Sequence, residues 1–403
     1  MRFIKSLPFR LLIALALGIF LGSIASPNVI TVFDSIRHLT GQVVMFSVPL
    51  IILGSVAPAI AKMGKNASRL LGLSLILAYG SVVLAGFLSM FLGRAILPVL
   101  NIADTAAAAR AMPAMIFTLN IPQIMPVMSA LALALMGGLA VVWTKSKTFG
   151  NILEEFHNIV MALVRKVIIP ILPFFIGTTF ANLAFQGRIT VQLPVFIQII
   201  GILFAIHILW IVILYIIATL YSKRNPLEVI RYYGPPWLTA FGTMSSAATL
   251  PVALRAAERS PVLDKNAVSF GIPLFAHIHM PGSIISIVML AMTVSKVLYG
   301  ELPSLETMLV FIPLLAIFAV AAPGVPGGTL MASLGLIYAV LGFDEVATGL
   351  MLAIFAIQDS LGTSCNITSD GPMMMNLSKY VGKHGLVPES DGNIFESDSG
   401  AKE

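Results

Sequence analysis

Charge is what this chain has least of: 10% of its 403 residues are charged, 18 acidic and 24 basic. Soluble domains carry roughly a quarter charged residues. A chain that is 58% hydrophobic, with a mean hydropathy of +0.96, therefore has little soluble mass. One cysteine, Cys365, excludes an intrachain disulfide and any cysteine-rich metal site. No clear small-x-small cleavage site follows the apolar run that ends at Ile24, so the basic start (Arg2, Lys5, Arg10) reads as the flank of a retained helix, not a signal peptide. The net charge of +6 is no nucleic-acid signal either, because its cations sit in short connectors.

What the chain does have is long apolar stretches, near 10–26, 40–61, 70–98, 123–144, 158–185, 192–221, 267–298, 308–342 and 346–378. A spanning helix needs about 20 apolar residues, and several of these are much longer, which predicts tilts, breaks or re-entrant pieces. The reading is an all-α polytopic membrane protein embedded in a lipid bilayer. Cation clusters at Lys62–Lys65–Arg69, Lys145–Lys147, Lys223–Arg224–Arg231, Arg255–Arg259–Lys265 and Lys379–Lys383 fall on one side if the amino terminus is cytoplasmic. Both termini are then cytoplasmic, with 383–403 a polar, acidic tail.

The stretch QDSLGTSCNITSDGP, at 358–372, breaks the apolar pattern. At about 3.6 residues per turn, Asp359, Thr363, Asn366 and Asp370 form one polar stripe on one helix face. The other sixteen acids are expected in connectors, at segment ends or in the tail. An ionisable group at bilayer depth costs about 2.5–3.5 kcal/mol on insertion scales, so two on one face argue for a buried polar site rather than packing glue, which normally uses Ser, Thr or Gly.

Two further stretches read as helix, non-helical tip, helix: TAFGTMSSAATLPVAL at 239–254, with Pro251, and AAPGVPGGTL at 321–330. Irregular backbone survives at membrane depth only where protein or a cavity surrounds it. A third break is expected at HIHMPGS, 277–283, where Pro281 and Gly282 disfavour a continuous helix. Carbonyls freed at such a break are hard-cation ligands in transporters. His277 and His279 have no evident third ligand for a transition metal; one of them could carry a proton, or be a hydrogen-bonded core histidine. Met373 to Met375 and the scattered aromatics read as packing.

The order of these features resembles the dicarboxylate/amino acid:cation symporter family, which includes the glutamate transporters: SSAATLP, a broken helix, GVPGG, then D-x3-T-x2-N-x3-D. The resemblance spans essentially the whole chain and includes VPLI at 48–51 and the NPLEVI…LTAF lead-in. It implies eight transmembrane helices plus two re-entrant helical hairpins, a homotrimer, and elevator-type motion of a transport domain against a scaffold. Residues 1–226 would be mainly scaffold, with the third and sixth helices contributing to the moving part. Residues 227–382 would be the transport core: hairpin 227–260, broken helix 267–298, hairpin 304–341 and final helix 346–380.

By the same resemblance Asp359 binds the substrate ammonium, Thr363 helps hold it, and Asn366 binds the α-carboxylate together with Ser245 and Ser246 at the first hairpin tip. Ser283, at the end of the broken segment, joins the substrate-binding residues, as does Val325. Asp370, with backbone oxygens of Phe275, His279 and Asn366, would hold one sodium ion. Ala319, Val320 and Ala322, with His277, would form a second, mostly carbonyl, site. Gly324, Val325 and Pro326 would be the extracellular gate.

The departures from the family pattern are informative. Members carrying aspartate, glutamate or C4-dicarboxylates have an arginine three residues after the first acid, and here Gly362 stands there. A side-chain carboxylate would lack its bidentate partner, so a neutral amino acid is expected, as in the bacterial serine/threonine:sodium symporters, which share the QDS lead-in. The family's NMDGT reads His279-Met280-Pro281-Gly282-Ser283, which puts a third sodium site in doubt and leaves proton coupling through His279 as an alternative to sodium. An acidic amino acid or dicarboxylate remains the alternative substrate. An intramembrane aspartyl enzyme is disfavoured, because its two carboxylates must share a proton and these are about 16 Å apart along a helix. A channel needs no ammonium-binding acid. No organic cofactor is expected.

Overall fold

The computed structural model describes residues 7–65, 69–100, 110–187, 189–322 and 327–384. Gly324, Val325 and Pro326, the cations Arg2, Lys5 and Arg188, and the tail beyond 384 lie outside the described residues. Among the described residues there are fifteen α-helices and no strand. They are α1 (Leu7–Ile24), α2 (Pro27–Lys65), α3 (Arg69–Ile96), α4 (Val127–Thr144), α5 (Lys147–Leu163), α6 (Ile169–Phe185) and α7 (Ile189–Ser222) in the first part. Then come α8 (Leu227–Ile230), α9 (Gly234–Thr243), α10 (Ser246–Arg259), α11 (Lys265–Ile278), α12 (Pro281–Tyr299), α13 (Leu305–Ala321), α14 (Gly328–Leu341) and α15 (Glu345–His384). A π-helical turn, Val164–Ile168, joins α5 to α6. Six helical stretches among the described residues are long and apolar enough to cross a membrane, and outward-facing side chains such as Leu17, Phe20, Phe91, Ile197 and Leu220 are apolar and exposed. The chain is a multi-pass membrane protein.

α1 lies against α6 backbone to backbone. A β-carbon on Gly18 would stand 2.1 Å from the Gly177 carbonyl oxygen, and one on Gly22 would stand 2.1 Å from that of Ala181. Two glycines four apart form the small-residue stripe that lets membrane helices meet this closely, where dispersion replaces the hydrophobic effect.

α2 departs from the sequence reading. It starts at Pro27, not near residue 40, and therefore takes Asp34, Arg37 and His38 into a helix. Asp34 is buried, so it is not one of the acids confined to connectors and ends. Hydropathy misses this because the charges answer one another: Arg37 Nε donates to Asp34 at 2.8 Å, Asn182 Nδ2 to the same oxygen at 2.8 Å, and Gln42 Nε2 to Glu345 at 2.6 Å. The irregular chain after residue 110 runs along this helix, with Ile116 N donating to Ser35 and Ile121 N to Gln42.

The breaks in the later helices have local causes. α9 ends at Met244, in the left-handed region at φ 52°, and Ser245 restarts the chain as the N-cap of α10 by accepting from Ala248 N at 3.2 Å. Pro251 is not part of that tip; it lies inside α10. α11 stops at Ile278 and α12 begins at Pro281, a residue suited to the first helical turn because its missing N–H has no partner there anyway. α12 is buried from Pro281 to Ser295 and packs against α3, α7 and α15. Ser89 of α3 fastens it by donating to the Ile285 carbonyl at 2.8 Å.

A candidate ligand site on the last helix

Asp359, Thr363, Asn366 and Asp370 all lie on α15 and are all buried, at 0–4% exposure. The carboxylate of Asp359 accepts the Gly327 N–H, at the start of α14, at 2.8 Å, and Thr363 stands one turn on along the same helix face. Among the described residues, no ion pair reaches it. It is a buried acid offering acceptor capacity with no basic side chain to meet it.

Asn366 faces the tip of α12. Its Oδ1 accepts the Gly282 N–H at 2.8 Å and the Ser283 N–H at 3.3 Å, while its Nδ2 donates to Ser283 Oγ at 3.0 Å. Its amide thus satisfies two otherwise orphaned donors of a helix start, and Ser283 is tied to it. Glycine at 282 is required by this approach: a β-carbon there would stand 2.3 Å from the Gly362 carbonyl oxygen and 2.7 Å from Cys365 Cβ.

Asp370 is paired from the broken helix. His279 Nδ1 is 3.1 Å from Asp370 Oδ1, and His279 Nε2 is 2.8 Å from Ser81 Oγ on α3. The order serine, histidine, aspartate is that of a hydrolase triad, but His279 and Asp370 are fully buried and Ser81 is 8% exposed, so no acyl substrate reaches the hydroxyl. Phe275, expected beside Asp370, is buried one turn before His279, and its carbonyl accepts the His279 N–H at 2.8 Å. His277 turns instead to the Pro273 carbonyl at 2.8 Å. Ala319 and Val320 sit in the last turn of α13, which packs on α11; Ala322 caps it, its N–H donating to the Ala319 carbonyl at 3.2 Å. Ser245 is engaged as the α10 cap and Ser246 is buried in its first turn, both on elements that pack against α15.

The sequence reading missed a second buried network beside this one. His207 Nε2 lies 3.0 Å from the Gly282 carbonyl and 3.2 Å from Ser286 Oγ, and Ser286 donates to Gln358 Oε1 at 2.9 Å. Since a carbonyl only accepts, Nε2 carries the proton. A β-carbon on Gly362 would stand 3.5 Å from Ser286 Oγ and 3.5 Å from Gly282, an ordinary contact distance. The available signal was His207 itself, an ionisable residue within a long apolar run. Among the described residues no group of three His, Cys, Asp or Glu side chains is placed to hold a metal ion. The site thus presents two buried carboxylates on one helix face, with hydroxyls and helix starts beside them.

The sequence profile described as the sodium:dicarboxylate symporter family matches residues 7–380. Among curated proteins, the chain is similar to the serine/threonine transporter SstT of Bifidobacterium adolescentis, 36% identical over 157 residues, covering 38% of this chain and 36% of that protein. It is also similar to the serine/threonine transporter SstT of Acinetobacter baumannii, 30% identical over 235 residues and 56% of each chain. The matched stretches thus span about a third to a half of these relatives' length.

Proposed function

The chain belongs to the sodium:dicarboxylate symporter family, and we propose that it is a secondary active transporter in which sodium drives uptake of a neutral amino acid of the serine, threonine or alanine kind. The observation that carries this reading is Asp359: buried at 4%, met by one backbone N–H, and three residues before a glycine. A carboxylate so placed is costly to bury alone and is suited to a substrate ammonium. With Gly362 in place of an arginine, a side-chain carboxylate on the substrate has no bidentate partner. The relatives named as serine/threonine transporters agree with a small, neutral cargo.

In this reading Thr363 shares the ammonium, and Ser245, Ser246 and Asn366 serve the α-carboxylate, with Ser283 and Val325 beside it. Asn366 acts largely by holding the α12 tip. Asp370 takes a sodium ion together with carbonyls of Phe275, His279 and Asn366, and His277, Ala319, Val320 and Ala322 take a second. Gly324, Val325 and Pro326 form the gate. The architecture proposed is eight spans and two re-entrant hairpins, 227–260 and 304–341, within a transport core over 227–382. That core moves as an elevator against a trimeric scaffold formed mainly by 1–226, with both termini in the cytoplasm. If sodium on Asp370 raises the affinity for the amino acid on Asp359, linkage makes the amino acid raise that for sodium by the same factor.

The test is uptake of labelled serine, threonine, alanine and aspartate by purified protein in proteoliposomes, under a sodium gradient or a proton gradient alone. Sodium-driven uptake of a neutral amino acid, abolished in Asp359→Asn, is the expected result, with Gly362→Arg losing neutral substrates. Aspartate as the best substrate of the unaltered protein would overturn the assignment of substrate class. Uptake driven by protons without sodium would overturn the assignment of the coupling ion.

A further inference from the structure

Among the described residues, three buried oxygens in the neighbourhood of Asp370 and Gly371 have no hydrogen-bond partner. Asp370 Oδ1 is engaged by His279, but Asp370 Oδ2 has no hydrogen bond, and neither do the phenol oxygens of Tyr215 on α7 and Tyr233 at the start of α9. All three side chains are deep in the protein: Asp370 is 0% exposed, Tyr233 2% and Tyr215 5%. Both phenols are within electrostatic reach of Asp370. They approach because residue 371 is glycine. A β-carbon there would stand 2.5 Å from the Tyr215 oxygen and 3.3 Å from Cζ of Tyr233.

An unpartnered buried hydroxyl or carboxylate oxygen costs about 1–3 kcal/mol. Such atoms are normally rare and scattered, so three from three elements around one acid and its neighbouring glycine call for something that takes oxygen ligands. The donor set defines what fits. One carboxylate charge balances one positive charge, and neutral phenols add hard oxygen atoms with no further charge, which suits a monovalent hard cation better than a divalent or soft metal. The imidazole on the other carboxylate oxygen orients the group. An ionised Asp370 only accepts, so Nδ1 of His279 carries a proton, and Nε2 accepts from Ser81.

We propose that the cation travelling with the amino acid is held on the Oδ2 side of Asp370, with the phenol oxygens of Tyr215 and Tyr233 as two of its ligands. This rests on the reading of Asp370 as a sodium site and adds to it residues that the family resemblance does not supply. The two phenols then tune cation affinity without touching the amino acid.

The experiment compares the full-length protein with Tyr215→Phe, Tyr233→Phe, the double variant and Asp370→Asn. Two quantities are read in parallel: the sodium concentration for half-maximal uptake at saturating amino acid, and the thermal midpoint of purified protein with and without sodium. Each single phenylalanine is expected to raise half-saturating sodium several-fold and the double variant at least tenfold, with half-saturating amino acid at high sodium unchanged. Without sodium the phenylalanine variants should melt no lower than the unaltered protein, since an unpartnered hydroxyl is removed and the volume kept. The gain in midpoint on adding sodium should shrink. If the double variant keeps half-saturating sodium within twofold while Asp370→Asn abolishes sodium dependence, the phenols are not ligands and the sodium site stands. If Asp370→Asn keeps full sodium dependence, it is the underlying reading that fails.

Discussion

Gly282→Ala places one methyl group where α12 meets α15. Its β-carbon would lie 2.3 Å from the Gly362 carbonyl oxygen, 2.7 Å from Cys365 Cβ and 3.1 Å from Asn366 Oδ1, and all three belong to α15. Two of these are helix backbone or β-carbon, which no rotamer change can move aside. Restoring ordinary contact near 3.4 Å requires roughly 1 Å of separation between the two elements. Overpacking of this kind costs about 1–3 kcal/mol. The same movement stretches the Gly282 and Ser283 N–H bonds to Asn366, now 2.8 and 3.3 Å, at about 1 kcal/mol for each one lost. With one of the two bonds lost this is about 2–4 kcal/mol, or roughly 30- to 700-fold in apparent affinity at 1.4 kcal/mol per tenfold. The assay is half-saturating amino acid in proteoliposomes together with the thermal midpoint in detergent. Gly201→Ala on α7, where nothing lies within 4 Å of the new carbon, is the control. Half-saturation within about threefold of the unaltered protein, at an unchanged midpoint, would refute the argument that this approach positions the site.

Gly22→Leu should destabilise more broadly, since its side chain would be driven into the α6 backbone at Ala181; a fall in midpoint equivalent to several kcal/mol is expected, and normal folding would show that the α1–α6 contact is dispensable. Lys145→Gly should stabilise, because Lys145 is exposed and ends α4 in the left-handed region at φ 53°. A gain of about 1 kcal/mol is expected from relieved backbone strain, read as a higher midpoint with uptake unchanged.

Much of this protein is written in its composition and order. With 10% charge and 58% hydrophobic residues, no soluble core can be built, so membrane-length helices follow from hydropathy alone. The stripe from Asp359 to Asp370 was equally legible, because residues one turn apart share a helix face whatever surrounds the helix, and an acid in an apolar run must have a reason. Proline and glycine at 281–282 marked the end of α11 for the same local cause: a missing N–H and a flexible backbone.

Other features depend on partners distant along the chain, and these only the tertiary structure decided. Asp34 is buried in α2 because Arg37 and, from α6, Asn182 reach it; without them the same residue reads as a loop acid. The sequence gives no sign of the partners of His279: Ser81, 198 positions away, and Asp370, 91 away, which the fold sets on its two nitrogens. The glycines at 18, 22, 282 and 371 look alike in sequence, yet each is demanded by a particular carbonyl or phenol a couple of ångströms off. Tyr215 and Tyr233 read as ordinary aromatics until the fold set both against Gly371, the residue after Asp370. Periodicity and hydropathy are properties of one segment, whereas the pairing of buried polar atoms belongs to the packing of several, and it is there that the site acquires its chemistry.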